Sequence, residues 1–325
     1  MTVISIVIFY CLMVLWPQAN PHDVVKIAVK NGSTLSDIAS TLKSESVIDH
    51  VSPFILATRM MGYERSIKSG VFSLKNAKTN YSIIHQLVIG NPIVKRVTIP
   101  EGLTVESTAI IFEETVGINS KEFIRLCRDD HFINSMGINV ESLEGYLFPD
   151  TYYFQENEEP EVIIQKMVSE CLAFFDDSLS VLASQFEFTD FEVLTLASII
   201  EGEAIYDSER PLISAVYHNR LRKHMKLQAD PTIQYIIEDG PRRLLNKDLK
   251  IESPYNTYLY YGLPPGPINN PGEESILAAV NPSDVEYLYF VANGDGRHTF
   301  SRTKREHISA KRKFQEVRRQ VNRRK

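Results

Sequence analysis

Residues 191–204 read FEVLTLASIIEGEA, and the kind of domain this chain builds turns on that stretch. Val193, Leu194, Leu196, Ala197, Ile199 and Ile200 make a helix that is apolar nearly all round, which places it in the interior of a domain. Asp190 is positioned to cap it and Gly202 to end it. The first acidic residue after the apolar run is Glu201. A carboxyl at the buried end of such a helix is costly as an anion. A carboxylic acid held protonated near neutrality can give its proton to a leaving oxygen, as cleavage of a glycosidic bond requires. A helix-terminal Glu paired with Arg210 or Arg220 accounts for the same pattern, so periodicity alone leaves both roles open. Glu203, past the glycine, is the competing carboxylate, suited to electrostatic support.

Downstream, SERPLISAVYHNRLRKHM (208–225) reads as a second helix, with Ser208 as cap and Pro211 in the first turn. An inward Asn219 beside Arg220 is placed to orient Glu201 or to hold a sugar amide; a satisfied core asparagine is the equal alternative. In LQADPTIQYIIEDG (227–240), Asp230 before Pro231 is a helix start and Gly240 a helix end. That structural role suffices, which leaves Asp230 as a secondary site candidate, with Gln228 and Gln234 open to a polar substrate. The stretch SPYNTYLYYGLPPGPINNPGEESILAAVNP (253–282) forms a stiff loop, because its prolines hold it extended at low entropic cost. Tyr255, Tyr258, Tyr260 and Tyr261 offer stacking faces there, with Asn256 among them as a polar contact. Asn270-Pro271 followed by Glu273 starts another helix. Residues 285–292 read as a strand, 293–296 as a turn and 298–301 as a returning strand. His298 and His307 are lone histidines, and no HExxH, Cys/His cluster, G-x-S-x-G or phosphate loop is present. Neither a metal nor another cofactor is expected.

Upstream, MTVISIVIFYCLMVLW (1–16) is uncharged and mostly apolar. Sixteen helical residues rise about 24 Å, a little short of a hydrocarbon core of about 30 Å. No positive lead or A-x-A cleavage site accompanies the run, so it reads as an uncleaved anchor over 1–17 rather than a signal peptide or buried helix. Its orientation is not set by charge. A strand, an Asn31-Gly32 turn and a helix capped at Ser33 follow, and the pattern recurs: IAVKNGSTLSDIASTL (27–42) aligns without gaps with VTIPEGLTVESTAIIF (97–112). This strand–turn–helix unit resembles the start of a LysM module, a small βααβ fold of glycan-binding proteins. Tyr81–Ile89 reads as a helix, as do stretches near 120–127 and 160–185. In EGYLFPDTYYF (144–154), Tyr146, Phe148, Tyr152 and Tyr153 divide between core packing and a sugar-lining groove.

The chain has 325 residues and a net charge of −6. Residues 302–325 carry eleven Lys/Arg against two Glu, a net of +9, which leaves −15 on the rest. That basic end is a solvated helix or a contact for anionic lipid or cell-wall polymer; without an aromatic-studded groove it does not indicate nucleic acid. Cys127 and Cys171 read as buried apolar residues rather than a disulfide.

LASIIEGEA, the ER…NRL helix, LQADPTIQY, SPYNTY, GLPPGPI and the H-T-F ending occur in this order over roughly 195–307. The ordered set resembles the YceG-like endolytic murein transglycosylases, across nearly the whole chain. The resemblance implies an acid/base glutamate at Glu201 and cleavage of the MurNAc–GlcNAc bond of new glycan strands, giving 1,6-anhydroMurNAc ends. It also implies association with the peptidoglycan synthases, and a single-pass inner-membrane protein with its catalytic domain on the periplasmic side. Gly202-Glu203-Ala204 stands where the family often shows Lys-Glu-Thr. The fold class expected is α+β: an anchor (1–17), LysM-like βααβ structure (18–115) and a mixed α/β catalytic domain with a buried catalytic helix (116–325). The residues expected at the site are Glu201, with Glu203, Asn219, Gln228, Asp230, Tyr255, Asn256 and Tyr258 on the substrate. A hydrolytic muramidase using Asp230 or Glu203, and a non-catalytic glycan-binding scaffold, are the alternatives.

Overall fold

The computed structural model describes residues 3–18, 24–30, 32–175, 177–238 and 240–324. The elements run α1 (Val3–Val14), β1 (Val24–Val29), α2 (Leu35–Ser44), α3 (Val51–Met60), β2 (Gly70–Lys75), α4 (Asn80–Val88), β3 (Val94–Thr98) and α5 (Val105–Val116). They continue with α6 (Ser120–Leu126), α7 (Asp130–Ser135), β4 (Thr151–Gln155), α8 (Pro160–Phe174), α9 (Asp177–Ser184) and α10 (Asp190–Glu203). The last are α11 (Arg210–Arg222), α12 (Asp230–Ile236), α13 (Glu273–Val280), β5 (Tyr289–Ala292), β6 (His298–Ser301) and α14 (Lys304–Arg324). The strands form three two-stranded sheets, β1–β2, β3–β4 and β5–β6.

The chain divides into two units. One comprises Met1–Val97, Thr115–Gly117 and Tyr152–Glu158; the other comprises Thr98–Glu114, Ile118–Thr151 and Glu159–Lys325. Most of α5 falls in the second unit, where its Phe112 stacks on Phe123 of α6.

In the first unit β1 and β2 pair antiparallel from Val24↔Lys75 to Val29↔Gly70 with α2 and α3 between them, a β–α–α–β order. Ile27, Leu42, Phe54, Phe72, Ile83 and Leu87 fill its core. Thr34, not Ser33, caps α2, in a reciprocal pair with Asp37. Asn31 of the expected turn lies outside the described residues; Gly32 and its counterpart Gly102 both have left-handed backbones (φ 74° and 76°), which glycine adopts without strain. Helix α1 is twelve residues long, and no helix among the described residues is long and apolar enough to cross a membrane. Its foot is tied down by Asn80, whose Nδ2 donates to Met13 O and whose Oδ1 accepts from Gln18 Nε2.

In the second unit α10 is capped by Thr189 with Glu192, one residue earlier than Asp190, and Val193–Ile200 are all buried. It packs against α9, α11, α12 and α13. The helix does not end at Gly202 but runs to Glu203. A Cβ at 202 would sit 2.6 Å from Pro231, so glycine lets α10 pass close to the start of α12 in this chain. Helix α12 starts at Asp230 after an Ala229 cap, α13 is capped by Gly272, and Glu209 rather than Ser208 precedes α11. The expected strand over 285–292 pairs only at Tyr289–Ala292. The carbonyls of Val285 and Tyr287 are taken by Asn219 Nδ2 and that of Leu288 by Arg220 Nε. Cys127 and Cys171 are buried free thiols.

Asn270, fully buried, is the clasp of this unit. Its Oδ1 accepts from Gly145 N (2.8 Å) and Leu147 N (2.9 Å), its Nδ2 donates to Leu103 O and Glu144, and its backbone bridges Leu103 and Gly102. Asn270→Leu strands two backbone donors and two acceptors in a dry interior. It is expected to cost about 3 kcal/mol of unfolding free energy, measured by denaturant titration.

Candidate active site

Glu201 lies in the last turn of α10 with its side chain 7% exposed. Its Oε2 accepts from Gly272 N at 3.0 Å and meets Arg210 Nη1 at 3.1 Å. The pairing with Arg210 that the sequence left open is therefore present, while Arg220 is spent on Leu288 and Leu227 carbonyls. The Arg210 guanidinium, 6% exposed, also reaches Asp207 Oδ1 through Nε (3.0 Å), the Ser275 hydroxyl through Nη1 and Glu101 Oε2 through Nη2 (3.5 Å). Burial and the neighbouring Glu201 charge push the Glu101 carboxyl above the ordinary range. Glu101 and Gly272 escape a reading of the sequence alone. The only trace of Glu101 there is its place beside Gly102 in the repeated strand–turn–helix pattern.

A cleft of about 940 Å³ opens beside this group, lined by Gly102–Thr104, Glu106, Arg128, Gly202, Glu203, Asp230, Gln234, Tyr235 and Asn269, among others. Glu201 stands at its edge, its Cγ 3.4 Å from where a Cβ on Gly102 would lie. Glu203 accepts from Tyr217 OH at 3.0 Å. Its carboxyl is pushed up to about 7, first by burial and then by the Asp230 charge. Asp230 in turn accepts the Tyr258 hydroxyl. Glu203, Asp230 and Tyr258 thus come together, and Glu201 precedes Glu203 by two residues at the end of the same helix.

The remaining candidates are held elsewhere. Asn219 donates to Val285 and Tyr287 carbonyls and its Oδ1 accepts from Arg222, which leaves no amide group for a sugar. Asn256 is wholly buried: its Nδ2 serves Leu249 and Ile251 carbonyls and its Oδ1 the Tyr258 N–H. Gln234 lines the cleft, but both its amide atoms bind the Arg242 backbone. Gln228 is exposed and Tyr255 packs on Tyr235, ring centres 5.1 Å apart. Tyr146 and Tyr152 are core residues and Phe148 packs on Phe174, so of that aromatic run only Tyr153 is exposed. His298 is paired with Glu209 at 2.9 Å.

The chain matches the YceG-like family over residues 27–313. It belongs to that family. This YceG-like chain is 34% identical over 313 residues to the endolytic murein transglycosylase of Bacillus subtilis (strain 168), covering 91% of this chain and 86% of that protein. It is 29% identical to the endolytic murein transglycosylase of Streptococcus pneumoniae (strain ATCC BAA-255 / R6), over 89% of this chain, and spans 58% of that protein's length. A crystal structure of a YceG-like protein from Listeria monocytogenes superposes with a TM-score of 0.63 at 32% identity, covering 88% of this chain and 98% of that one.

Deeper in the same unit, Glu144 accepts from the N–H of Val105, the first residue of α5, and burial pushes its carboxyl up to about 8. A carboxyl with a raised folded-state pKa holds its proton in the folded protein and releases it on unfolding. Its contribution is therefore full below its unfolded value near 4.5 and is lost as pH rises towards 8. Melting temperatures between pH 5 and 8.5 are expected to fall, and Glu144→Gln, which keeps an acceptor without the charge, should make that fall shallower.

Proposed function

We infer that this chain is a lytic transglycosylase that cleaves the glycan strands of peptidoglycan endolytically. The observation that carries the reading is the end of a buried helix, where Glu201 sits beside a cleft with Arg210 and the Gly272 N–H on one of its oxygens. The murein transglycosylases that it resembles over most of its length support the reaction class. In the proposed mechanism Glu201, protonated, gives its proton to the glycosidic oxygen between MurNAc and GlcNAc as the bond to C1 breaks. The substrate's N-acetyl oxygen stabilises the positive charge that develops at C1. Glu201, now a carboxylate, takes the proton of the muramic C6 hydroxyl while that oxygen bonds to C1. The product is a 1,6-anhydro end, and no water is consumed. Glu203, Asp230 and Tyr258 are proposed to meet the sugar from the cleft wall.

A second reading rests on one observation: Glu203, with a carboxyl that titrates near neutrality, and Asp230 line the same cleft. Either could activate a water in place of the C6 hydroxyl and leave a reducing end.

The β1–α2–α3–β2 unit has the element order of a LysM module, which supports a glycan-contacting role in the proposal. Val3, Ile4, Ile6, Val7, Ile8 and Leu12 of the uncharged α1 are exposed, which supports its insertion into the inner membrane as part of a single-pass anchor, with the catalytic unit on the periplasmic side. The peptidoglycan synthases are proposed partners, on the family resemblance alone.

Mass spectrometry of muropeptides released from peptidoglycan by the protein is expected to show anhydro products, and Glu201→Gln to lower their rate by roughly 10²–10⁴. Reducing-end products would move the assignment to hydrolysis. An active Glu201→Gln would remove Glu201 from the chemistry.

A further inference from the structure

Arg210 stands between two glutamates, and the reaction uses only one of them. In the resting protein Arg210 and the Gly272 N–H both bind Glu201 Oε2. The first step needs the acid. When Glu201 takes up a proton, a guanidinium that is 6% exposed loses the nearer of the two carboxylates at its terminal nitrogens, and a buried cation that gives up an anion is destabilised. Asp207 already occupies Nε and the Ser275 hydroxyl is neutral. The carboxylate within reach of the terminal nitrogens is Glu101, whose Oε2 lies 3.5 Å from Nη2 against 3.1 Å for Glu201 and Nη1.

We propose that Glu101 is a positioning residue for the acid, taking over Arg210 when Glu201 is protonated and returning it when Glu201 becomes a carboxylate again. This rests on Glu201 being the acid/base. The burial of the two glutamates suits the division of labour. Glu201 is 7% exposed and fixed, whereas Glu101 is 46% exposed and has room to close on Nη2. The backbone holds them together. Gly102 N donates to Asn270 O at 2.9 Å and Asn270 N to Leu103 O at 2.8 Å, which anchors the Glu101 turn to the segment that supplies Gly272. A Cβ on Gly272 would fall 2.0 Å from the Glu101 carboxyl carbon, so the absence of a side chain there is what lets the Glu101 carboxyl take this position. The raised Glu101 carboxyl is consistent with two carboxylates that sense each other. The other charges facing it are Arg210, Asp207 on the turn before α11, and Glu274 on α13.

Removing the Glu101 charge leaves Arg210 on Glu201 and takes away a like charge, and both changes disfavour the protonated acid. The test is the pH dependence of anhydro-muropeptide release by the full chain, compared with Glu101→Gln and Glu101→Asp. The Gln variant is expected to move the basic limb of the kcat profile to lower pH. Above the limb kcat falls about tenfold for each unit moved, with KM little changed. The Asp variant, which keeps the charge, is expected to restore most of the limb. An unmoved limb in Glu101→Gln would overturn the proposal. So would a loss confined to KM, which would make Glu101 a sugar contact, or equal damage in both variants with lowered melting temperature, which would make it structural. Failure of the Glu201 assignment would show separately, as activity retained by Glu201→Gln.

Discussion

The buried guanidinium of Arg210 is the constraint around which the second unit is arranged. Bringing such a charge out of water costs several kcal/mol unless anions and hydrogen-bond acceptors surround it. The chain supplies them from four places: Glu101 before α5, Glu201 at the end of α10, Asp207 before α11 and Ser275 in α13. A shift of any one of these segments would remove an acceptor from the cation. Local rigidity at the site therefore follows from electrostatics as much as from apolar packing, and Glu201 is held where the cleft begins.

Two helix ends meet at the same carboxyl. The C-terminal turn of α10, with its unpaired carbonyls, is the negative end of that helix, and Gly272 at the N-cap of α13 presents an N–H from a positive end. The opposed fields let a carboxyl sit at a position that a single helix terminus would penalise. Asn270 makes the arrangement possible by clasping the turns at Leu103, Glu144 and Gly145, so that the residue two positions on, Gly272, arrives in register with Glu201. A Cβ at 272 would displace the Glu101 carboxyl from its present position.

What the sequence made legible follows from how local each signal is. Helix α10 was readable because an all-round apolar surface has one destination, and the β5–β6 hairpin because Asn293–Gly296 is unambiguous turn chemistry. Caps slipped by one residue at Ser33 and Asp190, because neighbouring Ser, Thr and Asp are chemically alike and only backbone geometry selects among them; at Ser208 the slip is one residue to Glu209, which makes no side-chain cap. The amides of Asn219 and Asn256 read as substrate contacts, yet buried carbonyls had the prior claim on them. Residues 285–288 have strand composition, but α11 side chains take the carbonyls of Val285, Tyr287 and Leu288. The association of Glu101 with Glu201 spans a hundred residues and has no local signature, so only the folded chain brings it out.

The cleft wall has its own logic. Tyr258 donates to Asp230 and Tyr217 donates to Glu203, so each carboxylate has a phenol occupying one oxygen. Asp230 is exposed, whereas burial and the Asp230 charge push the Glu203 carboxyl up to about 7, where it can exchange a proton near neutrality. Whether it does so with a water or only holds the sugar depends on how completely a bound strand fills a 940 Å³ space. In the proposed mechanism a seated strand displaces water, which leaves the C6 hydroxyl as the nucleophile at hand and Glu201 as the base beside it. On that proposal the difference between a transglycosylase and a hydrolase at this site is governed by the exclusion of water from the cleft, with the acid itself unchanged.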